Sequence, residues 1–279
     1  MVPRETKIMK IKDHFLSKES FELVKNTEFG FYETLPKLAY DQLKTYYDNV
    51  NYLSHQEKSN NLKSFVYNLV KKFMFHQKYK WIKKYVDQGS WLDFGAGTGE
   101  FLEYIPKYWN KIAFEPNEKA LELIKAKKID YVSDYQYFNG KADVISAFHA
   151  LEHVIDIHKW FDFINKISHQ DTILAIAVPN YQAFDAKYYK EYWAAYDLPR
   201  HQYHFSKEGV CKLFRKYNYQ LIDEKPLLFD AYYISMISEK YKGNNDLLNA
   251  IRTGFLSNKK AKRTGEYSSN LFIFRKLQK

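Results

Sequence analysis

The chain has a single cysteine, Cys211, among 279 residues. One thiol can build neither a disulfide framework nor a cysteine-ligated zinc site. Long apolar runs are missing as well. No segment reads as a spanning helix, and Met1 to Lys12, with Arg4, Glu5 and Lys7, lacks the continuous apolar segment of a secretory signal. The expectation is a soluble, cytoplasmic protein. Acidic residues are in deficit, 33 against 43 lysines and arginines, which gives a formal net charge of +10. That excess is spread along the chain, with one modest cluster at Lys259, Lys260, Lys262 and Arg263. It reads as solvated surface rather than as the footprint of a nucleic acid. The 25 tyrosines and 21 phenylalanines could stack on bases, but their usual place is a core. At this length the chain can bury one substantial core, so one α/β domain carrying an extension is expected.

What is present centres on Trp91-Leu92-Asp93-Phe94-Gly95-Ala96-Gly97-Thr98-Gly99-Glu100. An apolar run carrying an acid passes into three glycines at alternate positions and then into a helical pattern from Phe101-Leu102. This is a strand, a tight turn and a helix start. Glycine admits backbone conformations closed to other residues, and the helix N-terminus offers free N–H groups to a ligand. A dinucleotide fingerprint reads G-x-G-x-x-G. Here the third glycine comes one residue earlier, and the Asp93 carboxylate would repel a pyrophosphate.

The run Asp93-Phe94-Gly95-Ala96-Gly97-Thr98-Gly99 resembles the first motif of the class I S-adenosylmethionine-dependent methyltransferases, D/E-x-G-x-G-x-G. The resemblance implies a Rossmann-like α/β fold with a seven-stranded sheet whose last strand is antiparallel, and helices on both faces. It implies S-adenosyl-L-methionine as cofactor and S-adenosyl-L-homocysteine as product. In that family the loop packs on the methionine part, and Asp93 would help to hold its ammonium group. A carboxylate ending the second strand can accept both ribose hydroxyls. Glu115, after Lys111 to Phe114 and 22 residues beyond Asp93, has that place, followed by Pro116. Asp130 to Asp134 reads as the third strand, with Asp134 and Tyr135 as the residues that would meet the adenine.

Upstream, Phe21 to Lys25 reads as a strand, Gly30 to Pro36 as a turn and connection, and Ser64 to Val86 as an amphipathic helix or two closed by Gly89. Tyr46-Tyr47-Asp48 and Tyr52-Leu53-Ser54-His55 resemble an element of a bacterial methyltransferase subgroup; where that subgroup has paired cysteines this chain has Asn26 to Gly30. The segment reads as a packing extension. The expected division is an N-terminal cap over residues 1–75 and a methyltransferase domain over 76–279, with an aromatic insertion at 181–206.

The fourth strand, Ala142 to Ala147, delivers Phe148-His149-Ala150-Leu151-Glu152-His153-Val154 to the sheet edge where ligands of open α/β sheets bind. A helix with Ile157, Trp160, Phe161, Ile164 and Ile167 inward follows, then the apolar strand Thr172 to Val178 and Pro179-Asn180. Ser206 is placed to cap a helix. Tyr219 to Asp223 and Leu271 to Arg275 suit a closing antiparallel pair, with Asn245 to Leu256 helical between them.

His149, Glu152, His153, His201 and His204 are the concentrated acid–base chemistry. H-x-L-E-H-V together with P-R-H-x-x-H-F-S resembles the subgroup acting on small molecules, and His149 joins the expected cofactor contacts. Methyl transfer to a hydroxyl needs in-line approach and removal of a proton. An imidazole, with an ordinary pKa of about 6.5, suits that base. His153 and His201 are the candidate catalytic residues, with Tyr192 and Trp193 as an acceptor pocket. The alternative is that these histidines only stabilise the turn and the insertion. In some relatives an E-x-x-E-H element binds a divalent ion; His149 stands at its first position here, so no metal is expected. The expected function is methyl transfer to a small-molecule acceptor, most readily an oxygen. The competitors are an RNA methyltransferase, a non-catalytic S-adenosylmethionine-binding protein and a nucleotide-dependent oxidoreductase. Acceptor identity and oligomeric state are not legible.

Overall fold

The computed structural model describes residues 8–47, 62–134 and 137–277. Strands β1 (Ile8–Lys12), β2 (Ser20–Lys25) and β3 (Tyr32–Leu35) form an antiparallel meander, and helix α1 (Tyr40–Tyr47) follows it. Gly30 to Pro36 was expected as a plain connection. It holds β3 instead, because Tyr32 and Thr34 are both buried and the strand pairs with β2 on one side and with a second partner far along the chain on the other. That partner is β9 (Tyr203–His204), which pairs Tyr32 with His204 and Glu33 with Tyr203.

Helix α2 (Leu62–Ile82) leads to β4 (Ser90–Phe94), and α3 (Glu100–Tyr104) starts directly after the glycine turn. The alternation continues through β5 (Asn110–Phe114), α4 (Glu118–Ala126), β6 (Asp130–Val132), β7 (Ala142–Phe148), α5 (Ile157–Ile167) and β8 (Ser168–Pro179). The insertion contributes α6 (Phe184–Tyr189) and β9. Then come α7 (Lys207–Lys216), β10 (Tyr219–Pro226), α8 (Leu228–Tyr241), α9 (Leu247–Thr264) and β11 (Ser269–Lys276).

The larger sheet runs β10-β11-β8-β7-β4-β5-β6, parallel from β8 to β6, with β11 antiparallel to both its neighbours. This is the expected Rossmann-like methyltransferase sheet. Its central strands are apolar almost without interruption because helices cover both faces. On one face Trp160, Phe161, Ile164 and Ile167 of α5 and Leu213 and Phe214 of α7 pack on Leu92, Ile145, Leu174 and Phe272. On the other, Phe101 and Leu102 pack with Trp91, Val144, Ile173 and Ile273. Each such side chain contributes about 1.5–3 kcal/mol on burial. Caps set the helix starts: Asn117 accepts from Ala120 N–H, Asp156 from His158 and Lys159, and Ser206 from Gly209.

The insertion does not hang free. Tyr189, Trp193, Tyr196 and Leu198 share a core with Ile11, Phe21, Leu23 and Tyr32 of the small sheet and with Ile234 of α8. No helix among the described residues is long and apolar enough to cross a membrane.

Candidate active site

The glycine turn is built where β4 ends. Gly95, Gly97 and Gly99 all have positive φ, at 72°, 54° and 73°, in the region where other residues are strained. Gly95 and Ala96 donate their N–H groups to the carbonyl of Phe114, at 2.9 and 3.0 Å, which hooks the turn onto the end of β5. A Cβ on Gly95 would lie 2.5 Å from the Cβ of Ala150, so the turns after β4 and β7 touch there. A Cβ on Gly97 would meet nothing within 4 Å. The middle of the turn therefore has open space where a side chain would stand, as a ligand cradle requires. Thr98 is half-buried, and Gly99 precedes the first turn of α3.

Glu115, 8 % exposed, sits one residue past β5. Its two carboxylate oxygens accept from Gly97 N–H at 2.8 Å and Asn117 N–H at 2.9 Å. Burial pushes its pKa up and these two donors pull it back, with the net shift upward. Each oxygen keeps a lone pair for a further donor. Pro116 is exposed beside it, and Asp134 lies half-buried just beyond β6. Tyr135 lies outside the described residues. Asp93 is deeper than the sequence suggests, 4 % exposed, with Ser146 donating to its Oδ1 at 2.5 Å and Trp91 donating to Ser146 at 2.8 Å. Burial raises the Asp93 pKa to about 7, against Ser146 and Lys78, which lower it.

After β7 the chain turns at His149, whose φ is 55° and whose N–H donates to the Ala177 carbonyl at 2.8 Å. Its ring lies between two carboxylates, Nε2 3.1 Å from Asp230 Oδ2 and Nδ1 3.5 Å from Glu152 Oε1. Burial opposes protonation, but Asp230 and Glu152 outweigh it and raise the pKa to about 9. His149 is thus an imidazolium at neutral pH.

His153 Nδ1 is 2.9 Å from the Tyr47 hydroxyl and 3.2 Å from the Arg200 carbonyl. A carbonyl only accepts and a tyrosine hydroxyl can do either, so a proton on Nδ1 satisfies both contacts and leaves the Nε2 lone pair for chemistry. Burial, reinforced by His201, lowers the His153 pKa to about 4, so the ring is neutral at physiological pH. His201, 7 % exposed, meets His153 edge to face at 4.5 Å between centroids. Its Nδ1 is 2.9 Å from the Ala195 carbonyl and its Nε2 3.7 Å from Asp197, which also binds Arg200. The two candidate bases are therefore neighbours, although 48 residues separate them in sequence. His204 is apart from this chemistry: buried, its Nε2 lies 2.9 Å from Thr34 Oγ1, and burial lowers its pKa well below the usual range.

Trp193 corrects the expected acceptor pocket. It is 2 % exposed and donates to Asp185 at 2.8 Å, so it is core. Tyr192 lies against His14, with ring centroids 4.8 Å apart. The sequence reading missed three residues at this edge. Tyr47 belongs to α1; Lys78 stands in a lysine-rich helix with nothing to set it apart; Asp230 belongs to α8, whose buried side carries Ala231, Ser235 and Ser238 and so shows no apolar stripe.

A family model described as a methyltransferase domain matches residues 42–224. No curated protein matches the chain. Among solved structures, the cyclopropane synthase MmaA2 from Mycobacterium tuberculosis superposes with a TM-score of 0.51 at 16% identity, over 72% of this chain and 83% of that one. The 1,6-didemethyltoxoflavin-N1-methyltransferase of Burkholderia thailandensis, with its substrate and S-adenosylhomocysteine bound, gives 0.54 at 12% identity, over 96% and 100%. Magnesium protoporphyrin IX methyltransferase of Synechocystis PCC 6803, with S-adenosylhomocysteine bound, gives 0.56 at 9% identity, over 85% and 100%. At these identities each likeness is one of fold.

Proposed function

The chain belongs to the methyltransferase-domain family and is a class I S-adenosylmethionine-dependent methyltransferase, and from that premise we propose that it methylates a small-molecule acceptor at an oxygen, with His153 as the base. The bound cofactor supplies a methyl group on a positively charged sulfur. The chain's residues do the rest. The main chain of Gly95, Ala96, Gly97, Thr98 and Gly99 holds the methionine part with Asp93 beneath it, Glu115 takes the ribose hydroxyls beside Pro116, and Asp134 borders the adenine. His149 borders the methionine end from the β7 side.

The observation that carries the acceptor chemistry is the state of His153: neutral, with Nδ1 fixed by the Arg200 carbonyl and Nε2 left with its lone pair. A hydroxyl hydrogen-bonded to Nε2 gives it the proton as its oxygen forms the new C–O bond and the C–S bond breaks. His201 packs on the His153 ring and keeps it in place, and can take the base role itself. The small sheet with α1 and the insertion 181–206 form the cap over the acceptor. Small-molecule acceptors stand in the names of the Burkholderia and Synechocystis neighbours of this fold. The test is methyl-13C S-adenosylmethionine incubated with a metabolite extract and the enzyme. The carbon shift of the labelled product tells oxygen from nitrogen or carbon. Full turnover by a His153→Ala, His201→Ala double variant would overturn the base assignment.

One observation favours a second reading, with a divalent ion polarising the acceptor hydroxyl. Ligand atoms of Glu152, His153 and His201 lie within 4.8 Å of one another, and neither carboxylate oxygen of the buried Glu152 has a hydrogen bond of ordinary geometry. Two imidazoles and a carboxylate suit zinc or another transition metal. Turnover that survives exhaustive chelation, in protein shown metal-free by elemental analysis, rules it out.

A further inference from the structure

Helix α9 buries its small residues and exposes all of its large apolar ones but Leu256. The side turned to the protein carries Ala250, Thr253, Gly254, Ser257 and Ala261. A Cβ on Gly254 would lie 2.7 Å from the Tyr232 ring of α8, and Ser257 donates to Asp185 at 2.7 Å, so this side is fixed in place. Leu247, Leu248, Ile251 and Phe255 therefore point outward, Leu248 81 % exposed and Phe255 55 %. Leu228, whose carbonyl accepts from Asn258 at 2.9 Å, and Phe229 are exposed beside them on α8. Apolar residues scattered singly over a surface need no explanation, but a group on one face marks an interaction site.

Charge narrows the partner. At about 3.6 residues per turn, Leu248, Ile251 and Phe255 share a stripe with Arg252, Lys259, Lys262 and Arg263, all of them exposed. Between Leu247 and Thr264 there is no aspartate or glutamate. A second copy of this chain, seated face to face, would set these cations against its own. A nucleic acid would answer the cations and leave Leu248 and Ile251 without an apolar partner. An anionic lipid surface answers both, with acyl chains for the apolar half of the stripe and headgroup phosphates for the basic half.

We propose that the outer face of α9, with Leu228 and Phe229 of α8, docks on an anionic phospholipid bilayer, the helix lying in the interface rather than crossing it. The docking requires neither an oxygen acceptor nor His153 as base.

The experiment is co-sedimentation of the full chain with vesicles of phosphatidylcholine alone and of equal parts phosphatidylcholine and phosphatidylglycerol. Wild type should bind the mixed vesicles and not the neutral ones. Raising salt from about 0.1 to 1 M, which shortens the screening length from about 10 to 3 Å, should release it. Each lysine or arginine near such a surface contributes about fivefold, so the Lys259→Gln, Lys262→Gln, Arg263→Gln triple variant should partition roughly 100-fold more weakly. A Leu248→Ser, Phe255→Ser double variant should lose at least as much, about tenfold or more for each side chain. All five side chains are exposed, so both variants should keep the melting temperature and the S-adenosylhomocysteine affinity of wild type. Equal binding to neutral and mixed vesicles, binding to neither, or binding that survives both variants overturns the proposal. So does a dimer in sedimentation velocity that the double variant dissolves while vesicles go unbound, or an RNA homopolymer bound in their place. Should either variant not fold, the lipid and salt dependence of wild type still decides.

Discussion

Glu115→Gln separates two jobs that one carboxylate performs. In the protein its oxygens accept Gly97 N–H at 2.8 Å and Asn117 N–H at 2.9 Å. Glutamine has the same length but one acceptor oxygen, so its NH2 must face one of these two donors. That N–H is left without an acceptor in a site only 8 % exposed, at a cost of about 1–3 kcal/mol. For a chain of this size about 2–4 °C of melting temperature goes with each kcal/mol. The unliganded variant should melt about 2–12 °C lower. Ligand binding falls separately. The amide removes the charge and one of the two acceptors opposed to the ribose diol, so S-adenosylhomocysteine should bind roughly 10- to 150-fold more weakly. The assay is calorimetric titration beside thermal melting, with the 2′-deoxy form of S-adenosylhomocysteine as second ligand. Wild type should discriminate strongly against the deoxy ligand and Glu115→Gln only weakly. Undiminished discrimination in the variant would refute the ribose role, whatever happened to the melting temperature.

Gly97→Ala should fold with a loss of about 1 kcal/mol, the cost of placing a side chain at φ 54°, yet weaken S-adenosylhomocysteine by more than that, because the new methyl occupies the open space at the cradle; titration and melting of one sample compare the two. Gly95→Ala should be far worse for folding, since its methyl meets Ala150 at 2.5 Å. Asp230→Asn should lower the His149 pKa from about 9, read by NMR of ring-labelled histidine; an unmoved titration would discard the ion pair. Because the folded pKa of His149 is raised, the pair's stabilisation is complete below about pH 6.5 and is lost as pH rises towards 9. His153 has the opposite sign. Its folded pKa is depressed to about 4, so the unfolded chain binds its proton first and stability falls as pH drops from about 6.5 to 4. Under the base reading, kcat/KM should show no rise near pH 6.5, and such a rise that persists in His201→Ala would reject His153 as the neutral base.

The donor half of the fold was legible because its signals are local. Each strand of the parallel sheet and its following turn are read within about ten residues: the glycines after β4, the acid after β5, the apolar run of β8. Periodicity sufficed for α5, since Ile157, Trp160, Phe161 and Ile164 all face one core. The failures are of another kind. β3 is four residues long and buries a threonine, and it lies between β2, which it pairs with at four positions, and the distant β9, which pairs Tyr32 with His204. α8 buries Ala231, Ser235 and Ser238 beside Ile234 and exposes Phe229 and Tyr233, so no continuous apolar stripe marks its inner side. Trp193 was drawn towards the acceptor by its aromatic company, whereas its indole is committed to Asp185.

The same division runs through the site. Glycine turn, Glu115 and Asp134 come from consecutive strand ends, so spacing along the chain maps onto spacing across the sheet. The acid–base edge is assembled from α1, α2, the β7 turn, the insertion and α8, through Tyr47, Lys78, His149 with His153, His201 and Asp230. None of those separations is short, and the insertion that carries His201 is tied to the N-terminal strands by the small sheet, through β3 and β9. The small sheet therefore has a functional consequence. Thr34, 0 % exposed on β3, donates to the His201 carbonyl at 2.6 Å, which fixes the chain beneath the His153–His201 pair from the N-terminal side. A change confined to β3 should then alter the histidines' geometry and leave the glycine cradle untouched, so donor affinity and turnover should part company in Thr34→Val.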